Sequence, residues 1–322
     1  MVARHAHRIP ALALLVCCAC LSPAAFVPAP ARAAGAVGDL YVTSDASNLV
    51  RAYTGGTGAF IGVHATSVLP ASGQLGIHFG LTNGRMLVGH FGGGVNEFDA
   101  ATGAFIKTYN PGGGWMWGAV YRANGNVIAT SSATDQVVEF DGVTGAFLGV
   151  LATMPPASMP SDLRFGPNGN LYVCCYGNNM AFELHPVSGA VISAWSMPVV
   201  GDRPNDIAFL PNGEILVTCM GSNQCHRFDS TPVHNWLGSF AGTGWDRPHG
   251  IDIGPADGRI YIADGVTTQV HVFDPVTFAE LNTNFLIPNP GDKIVDLEFR
   301  RFTGEPTPAT PSSWGRIKTL YR

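Results

Sequence analysis

Residues Phe98–Ile106 read FDAATGAFI, Phe140–Leu148 read FDGVTGAFL and Tyr53–Ile61 read YTGGTGAFI. A phrase that returns at a fixed spacing constrains a fold strongly, because each copy must make the same local structure and stack on its neighbours. Short apolar runs set the spacing: LYV at Leu40, MLV at Met86, VIA at Val127, LYV at Leu171, ILV at Ile215 and IYI at Ile260, separated by 46, 41, 44, 44 and 45 residues. Five of these runs follow Asn83-Gly84, Asn124-Gly125, Asn168-Gly169, Asn212-Gly213 and Asp257-Gly258. Such pairs favour the positive φ of a two-residue hairpin turn, so each predicts a strand on either side.

The strand before each turn is read at Gly76–Phe79, Gly118–Tyr121, Asp162–Phe165, Asp206–Phe209 and Gly250–Ile253. A third strand ends in Phe-Asp at Phe98, Phe140, Phe228 and Phe273, and a fourth follows a Thr-Gly turn, as at Ala104–Thr108 and Ala146–Leu151. A four-stranded antiparallel unit of this length cannot bury both faces alone, whereas a ring of such units can. The expected fold is therefore all-β: a six-bladed β-propeller whose strand-end aromatics Phe98, Phe140, Phe228 and Phe273 form inter-blade core. The first unit lacks an opening strand, and Ile294–Phe299 (IVDLEF) matches the missing one. The C-terminal strand is thus expected to complete the first blade and close the ring.

The flanks read differently. Arg4, His5, His7 and Arg8 precede the apolar run Ala11–Cys20, and Ala31-Arg32-Ala33 offers small residues for cleavage. Residues 1–33 are read as a secretory signal, too short in its apolar core to span a bilayer comfortably. Residues 34–302 are read as the propeller, and 303–322 as a Pro/Ser/Thr-rich linker (Thr303–Ser313) with a short basic tail (Trp314–Arg322). Removing Arg4, Arg8 and Arg32 from 18 basic residues leaves 15 against 23 acids, a net charge near −8. That balance argues against nucleic acid. With no transmembrane segment in the mature chain, it fits a monomer that is secreted, periplasmic or displayed at the cell surface. Cys174, Cys175, Cys219 and Cys225 remain after the signal. Their spacing is no zinc pattern. They are candidates for disulfides (Cys219 with Cys225 across a hairpin, Cys174 with Cys175, or Cys175 with Cys219) or for buried thiols.

Arg247–Ile251 (RPHGI), Gly258–Asp264 (GRIYIAD) and Val270–Asp274 (VHVFD) together resemble one NHL-type repeat, and Pro204–Phe209 (PNDIAF) and Pro160–Phe165 (PSDLRF) are similar. The resemblance spans roughly residues 38–300 and places the chain with NHL-repeat-like and virginiamycin B lyase-like six-bladed propellers. In metal-dependent lyases of this kind, histidines follow the proline of several inner strands. Here that position holds Leu75, Trp117, Ser161, Asn205, His249 and Val295, so only His249 matches. Three imidazoles are not available for a zinc site with an open position. Lactonase-like propellers hold calcium through oxygen ligands, for which Asn205, Asp162, Asp206 and Asp296 are candidates.

His249 is a candidate general base or ligand, against a histidine bonded to a neighbouring strand. Asp162, Asp206 and Asp296 recur at one phase, either as a cation-binding ring of calcium or zinc type or as acceptors of backbone N–H groups. Trp117 is a candidate stacking surface, and Arg203 and Arg247 are candidates for clamping a ligand or pairing with those carboxylates. No Gly-x-Ser-x-Gly elbow or His-Glu-x-x-His helix is present. The expected role is a binding scaffold for a protein or small ligand at one rim of the channel. The alternative is a metal-dependent lyase or lactonase-like hydrolase at the channel mouth.

Overall fold

A computed structural model of the chain describes residues 35–69, 73–112, 114–286 and 293–301. The leader at 1–33 and the tail at 303–322 lie outside the described residues. Among the described residues, twenty-four strands form six four-stranded antiparallel sheets. The innermost strands are Ile294–Phe299 in blade one, Gln74–Phe79 in two, Ala119–Tyr121 in three, Pro160–Phe165 in four, Pro204–Phe209 in five and Pro248–Ile253 in six. In blade one the C-terminal strand pairs with Leu40–Ser44 from Leu40↔Phe299 to Ser44↔Ile294, which closes the ring as expected.

The core is divided among the blade interfaces. Each of six apolar clusters draws on two adjacent blades: Phe98 packs between blades one and two, Phe140 between two and three, Phe228 between four and five, and Phe273 between five and six. Threonines near the end of the second strand tie three of the interfaces: Thr43 donates to the Leu75 carbonyl, Thr130 to Ser161 and Thr218 to His249. Blade four has Cys174 at the matching place, and Ser161 donates instead to Asn205 of blade five at 2.9 Å.

The repeated phrase is a side-chain-capped turn. Asp99 Oδ1 accepts from the N–H groups of Ala101 and Thr102 and from the Thr102 hydroxyl, and Asp141 and Asp274 repeat the pattern. The Asn-Gly turns differ from expectation. Only the glycines have positive φ, and Gly125 N–H donates to Arg122 O while Arg122 N–H donates to Asn126 O. That is a three-residue loop, repeated at Gly169 and Gly213, whereas Gly80 N–H donates to Arg85 O and Gly254 N–H to Arg259 O across four residues; each has a single left-handed residue and needs glycine at one position rather than two.

Gly103 of the first phrase has φ +71, and a Cβ there would lie 1.7 Å from the His64 carbonyl oxygen. Phe278 takes the corresponding place in blade six at φ 58, with the Arg227 guanidinium 3.7 Å from its ring centroid. Gly103→Ala should therefore destabilise the fold by about 1–3 kcal/mol, combining backbone strain with a backbone clash. Urea unfolding checks this, and a change under about 0.5 kcal/mol would refute the steric argument.

Candidate functional site

The innermost strands begin earlier than the sequence suggests, at the proline in blades four to six. Pro160 pairs with Cys175 but Leu163 pairs with Val173, so one extra residue is inserted. The same register shift falls between Pro204 and Ile207, between Pro248 and Ile251, and between Gln74 and Ile77. Such bulges re-aim side chains. Here they present Ser161-Asp162, Asn205-Asp206, His249-Gly250 and Leu75-Gly76 at matching positions.

The second bulge residue carries the channel carboxylates. Oxygens of Asp162, Asp206 and Asp296 lie within 4.8 Å of one another. Each Oδ1 accepts from the following N–H: Leu163 at 2.6 Å, Ile207 at 2.6 Å and Leu297 at 2.7 Å. Asp206 Oδ2 reaches forward to Ile251 N–H of blade six at 2.8 Å, and Asp296 Oδ2 to Ile77 N–H of blade two at 2.7 Å. The glycines at this phase make room. A Cβ on Gly118 would lie 2.0 Å from Asp162 Oδ1, and one on Gly250 would lie 2.1 Å from Asp296 Oδ1.

Burial, reinforced by the neighbouring carboxylates, raises Asp162 and Asp296 well above the usual carboxylate range. Burial also pushes Asp206 up to about 6, opposed by Arg164. Arg164 is the charge that sequence reasoning overlooked. Its Nη1 donates to Asp252 Oδ1 at 3.2 Å, and its Nη2 lies 3.7 Å from Asp206 Oδ2. Burial also pulls Asp252 upward, but Arg301 and Arg164 together hold it below the usual range. Asp252 passes its second oxygen to Phe299 N–H of blade one at 2.9 Å. Arg203 and Arg247, candidates for clamping a ligand or pairing with those carboxylates, are both exposed; among the described residues Arg164 lies beside Asp206, and Arg301 bonds to Asp252.

A carboxyl whose pKa is higher in the fold than in the unfolded chain stabilises below its unfolded pKa, and that stability is lost as pH rises through the folded value. Asp162→Asn keeps the acceptor for Leu163 N–H and removes the ionisable group. It should raise stability by about 1 kcal/mol near pH 8, roughly 2–4 °C in Tm, and change little near pH 5. Thermal melts at the two pH values check this, and a fall in Tm near pH 8 would contradict it.

The first bulge residue faces the mouth. His249 is 7% exposed and Trp117 8%, with ring centroids 6.4 Å apart and an interplanar angle of 24°. Trp117 also stacks on Tyr176 at 6.3 Å, and the Arg203 guanidinium sits 5.3 Å from the Tyr176 centroid. Arg203 and Arg247 have φ 55 and 66, each before an inner-strand proline. Their N–H groups donate to Asn179 Oδ1 at 3.1 Å and Asn223 Oδ1 at 2.9 Å, which holds the left-handed conformation and aims both side chains at the rim.

His249 lines a cavity of about 320 Å³ with Asp45, Asp246, Arg247, Gly265, Val266 and Lys293. A Cβ on Gly265 would come 2.5 Å from the imidazole, so glycine leaves the ring its place. Burial first, then Arg247, lowers the His249 pKa to about 4, leaving a neutral ring at neutral pH. Among the described residues its buried Nδ1 has no hydrogen-bond partner, and neither has Asn205 Oδ1 at the same position one blade earlier. His249, Asn205, Trp117, Arg203 and Arg247 thus share one end of the channel, and the three aspartates lie one bulge position further along.

Among the described residues, Cys174, Cys175, Cys219 and Cys225 are buried free thiols. Cys174 packs between blades four and five, Cys175 between three and four, Cys219 between four and five, and Cys225 between five and six. Each proposed pair is divided between two interfaces, because alternate residues of a strand face opposite sides of its sheet. The Cys219–Cys225, Cys174–Cys175 and Cys175–Cys219 disulfides are therefore not made.

No protein-family model and no curated protein matches the sequence. Solved structures do. A streptogramin B lyase superposes with a TM-score of 0.64 at 14% identity, covering 82% of this chain and 87% of that one. The laminin complex of nidogen gives 0.66 at 14% identity, over 81% and 98%. Virginiamycin B lyase from Staphylococcus aureus gives 0.57 at 16% identity, over 71% and 77%. The likeness is one of fold. The same six-bladed ring serves an enzyme in one neighbour and a protein complex in another, so function must be argued from the site. Among the described residues no helix is long and apolar enough to cross a membrane.

Proposed function

We propose that this chain is an exported six-bladed propeller that binds a small polar ligand, or an inserted peptide segment of a protein partner, at the mouth of its channel. The observation that carries this reading is His249, which lines a cavity of about 320 Å³ and whose buried Nδ1, like Asn205 Oδ1 at the equivalent position of blade five, has no hydrogen-bond partner among the described residues. An unmet buried polar atom costs about 1–3 kcal/mol, which a ligand or bridging group recovers on binding. The cavity volume falls in the range of small-molecule sites. Arg247 and Lys293 line it together with Asp45 and Asp246, a mixed-charge surface suited to a ligand with both donors and acceptors. Trp117 supplies a flat apolar wall behind His249. Export rests on the leader-like composition of residues 1–33, and N-terminal sequencing of the mature chain tests it.

A ligand-observed NMR screen of fragment and dipeptide mixtures tests the binding reading. Hits should be lost in His249→Ala and Asn205→Ala and kept in Arg259→Ala, which lies at the opposite end of the blade-six inner hairpin and lines a different cavity. An absence of hits, or hits indifferent to His249 and Asn205, would overturn it.

The competing hydrolase or lyase reading rests on the closeness of the Asp162, Asp206 and Asp296 carboxylates to one another. It requires a divalent cation on oxygens that already accept backbone N–H groups. Calorimetry with Ca²⁺ and Zn²⁺ decides it, since stoichiometric binding abolished by Asp206→Ala would favour that reading.

A further inference from the structure

We propose that Asp202, Cys219 and His226 form a second, separate site, which binds a zinc-type divalent cation between blades four and five. Asp202 lies in the segment that joins the last strand of blade four to the first of blade five. Cys219 ends the second strand of blade five, and His226 is on its third. A carboxylate oxygen, the thiol sulfur and a ring nitrogen from these residues lie within 4.8 Å of one another, and all three residues are fully buried.

The cluster has unmet polar atoms. Asp202 Oδ2 accepts from Val199 N–H at 2.8 Å and meets His226 Nε2 at 3.0 Å. Among the described residues Asp202 Oδ1 and His226 Nδ1 have no hydrogen-bond partner. Blade six shows what the same positions do when they serve structure alone. There the oxygens of Asp264 accept from the N–H groups of Asp246, Val266 and Thr267, and His271 Nδ1 meets Glu280 at 2.6 Å, although its Nε2, like His226 Nδ1, has no partner among the described residues. Blade five replaces that aspartate with a thiol and leaves acceptors unused.

The donor set selects the ion. Thiolate and imidazole favour zinc over calcium or magnesium, unlike the all-oxygen channel cluster. A dication with one carboxylate and one thiolate is electrically neutral, which suits a site without solvent. Three protein ligands leave a fourth position open. Binding displaces the thiol proton, so affinity rises with pH. Asp202 immediately precedes Arg203, so an occupied site would also fasten the segment that aims Arg203 over Tyr176.

Cobalt(II) titration of the metal-stripped, reduced chain provides the test, because cobalt reports its ligands spectroscopically. We expect about one equivalent to bind with a thiolate-to-cobalt charge-transfer band in the near ultraviolet, displaced by Zn²⁺. Cys219→Ser should lose the band and weaken Zn²⁺ binding by roughly a hundredfold or more. Cys225→Ser, whose thiol faces the other interface, and Asp206→Asn, in the channel cluster, should keep both. A parent spectrum without the thiolate band overturns the proposal, as does a band that survives Cys219→Ser. If Cys219→Ser fails to fold, Asp202→Asn and His226→Gln take its place, and retention of tight Zn²⁺ binding in both is the refuting result.

Discussion

Arg164→Met should cost about 3–5 kcal/mol near pH 8, because it leaves buried carboxylates without their counter-charge. Arg164 spans blades four, five and six: its guanidinium bonds to Asp252 and to the Ile251 carbonyl and lies beside Asp206. Methionine fills similar space without the charge. Asp252 keeps Arg301 at 2.6 Å, but Asp206 then faces Asp162 and Asp296 with no cation beside it. Its folded pKa, already raised, rises further. The sign follows from linkage: stability is retained below the unfolded carboxylate pKa and lost as pH rises through the folded one. The penalty should therefore shrink near pH 5, where the cluster takes up protons, and Asp206→Asn in the same chain should recover part of it near pH 8. Melting curves of the single and double variants give the answer. A penalty independent of pH would show that Arg164 contributes packing rather than charge.

That arginine shows where sequence reasoning stops. The blades were legible because every one rests on local chemistry: a glycine able to take positive φ, an aspartate that caps the next turn, an aromatic at a strand end. Each signal is written within a few residues, so the period, the blade number and the closing strand could be read directly. The carboxylate phase of Asp162, Asp206 and Asp296 and the place of His249 were legible for the same reason. The partners of those groups were not. Arg164 sits in PSDLRF and meets Asp252, 88 residues away, only after the inner strands have been bulged and wound into a ring. Its readable trace is a charge at a strand position where blades three and five carry Val120 and Ala208 and where blades six and one carry the acids Asp252 and Glu298. The cysteines failed differently. Adjacency in sequence suggested pairing, whereas strand alternation sends neighbours to opposite interfaces. Asp202, Cys219 and His226 are separated by 17 and 7 residues and match no ligand motif, so only the register of blade five brings them together.

A chain ending at Leu286 should not fold as a monomer. It keeps all strands but the last, yet that strand does three jobs. It buries Ile294, Leu297 and Phe299 in the interface of blades six and one. At about 1.5–3 kcal/mol each, those side chains alone contribute roughly 5–9 kcal/mol, comparable with the whole stability of a typical domain. It pairs with Leu40–Ser44, which would otherwise become an exposed apolar edge. It also carries the polar ties on both sides of the seam: Asp296 accepts from Ile77 of blade two, and Phe299 N–H donates to Asp252 of blade six. Arg300 extends the seal, donating its N–H to the Asp39 carbonyl and accepting from Gly38. Because a ring has no independent half, losing one seam releases cooperativity everywhere. Circular dichroism and size-exclusion chromatography should show an expanded or aggregated chain without a cooperative melt. A synthetic peptide of residues 293–301 added to the shorter chain should restore part of the transition. A cooperative melt within a few degrees of the parent after truncation at Leu286 would mean that the remaining five blades and a three-stranded first blade hold the ring by themselves.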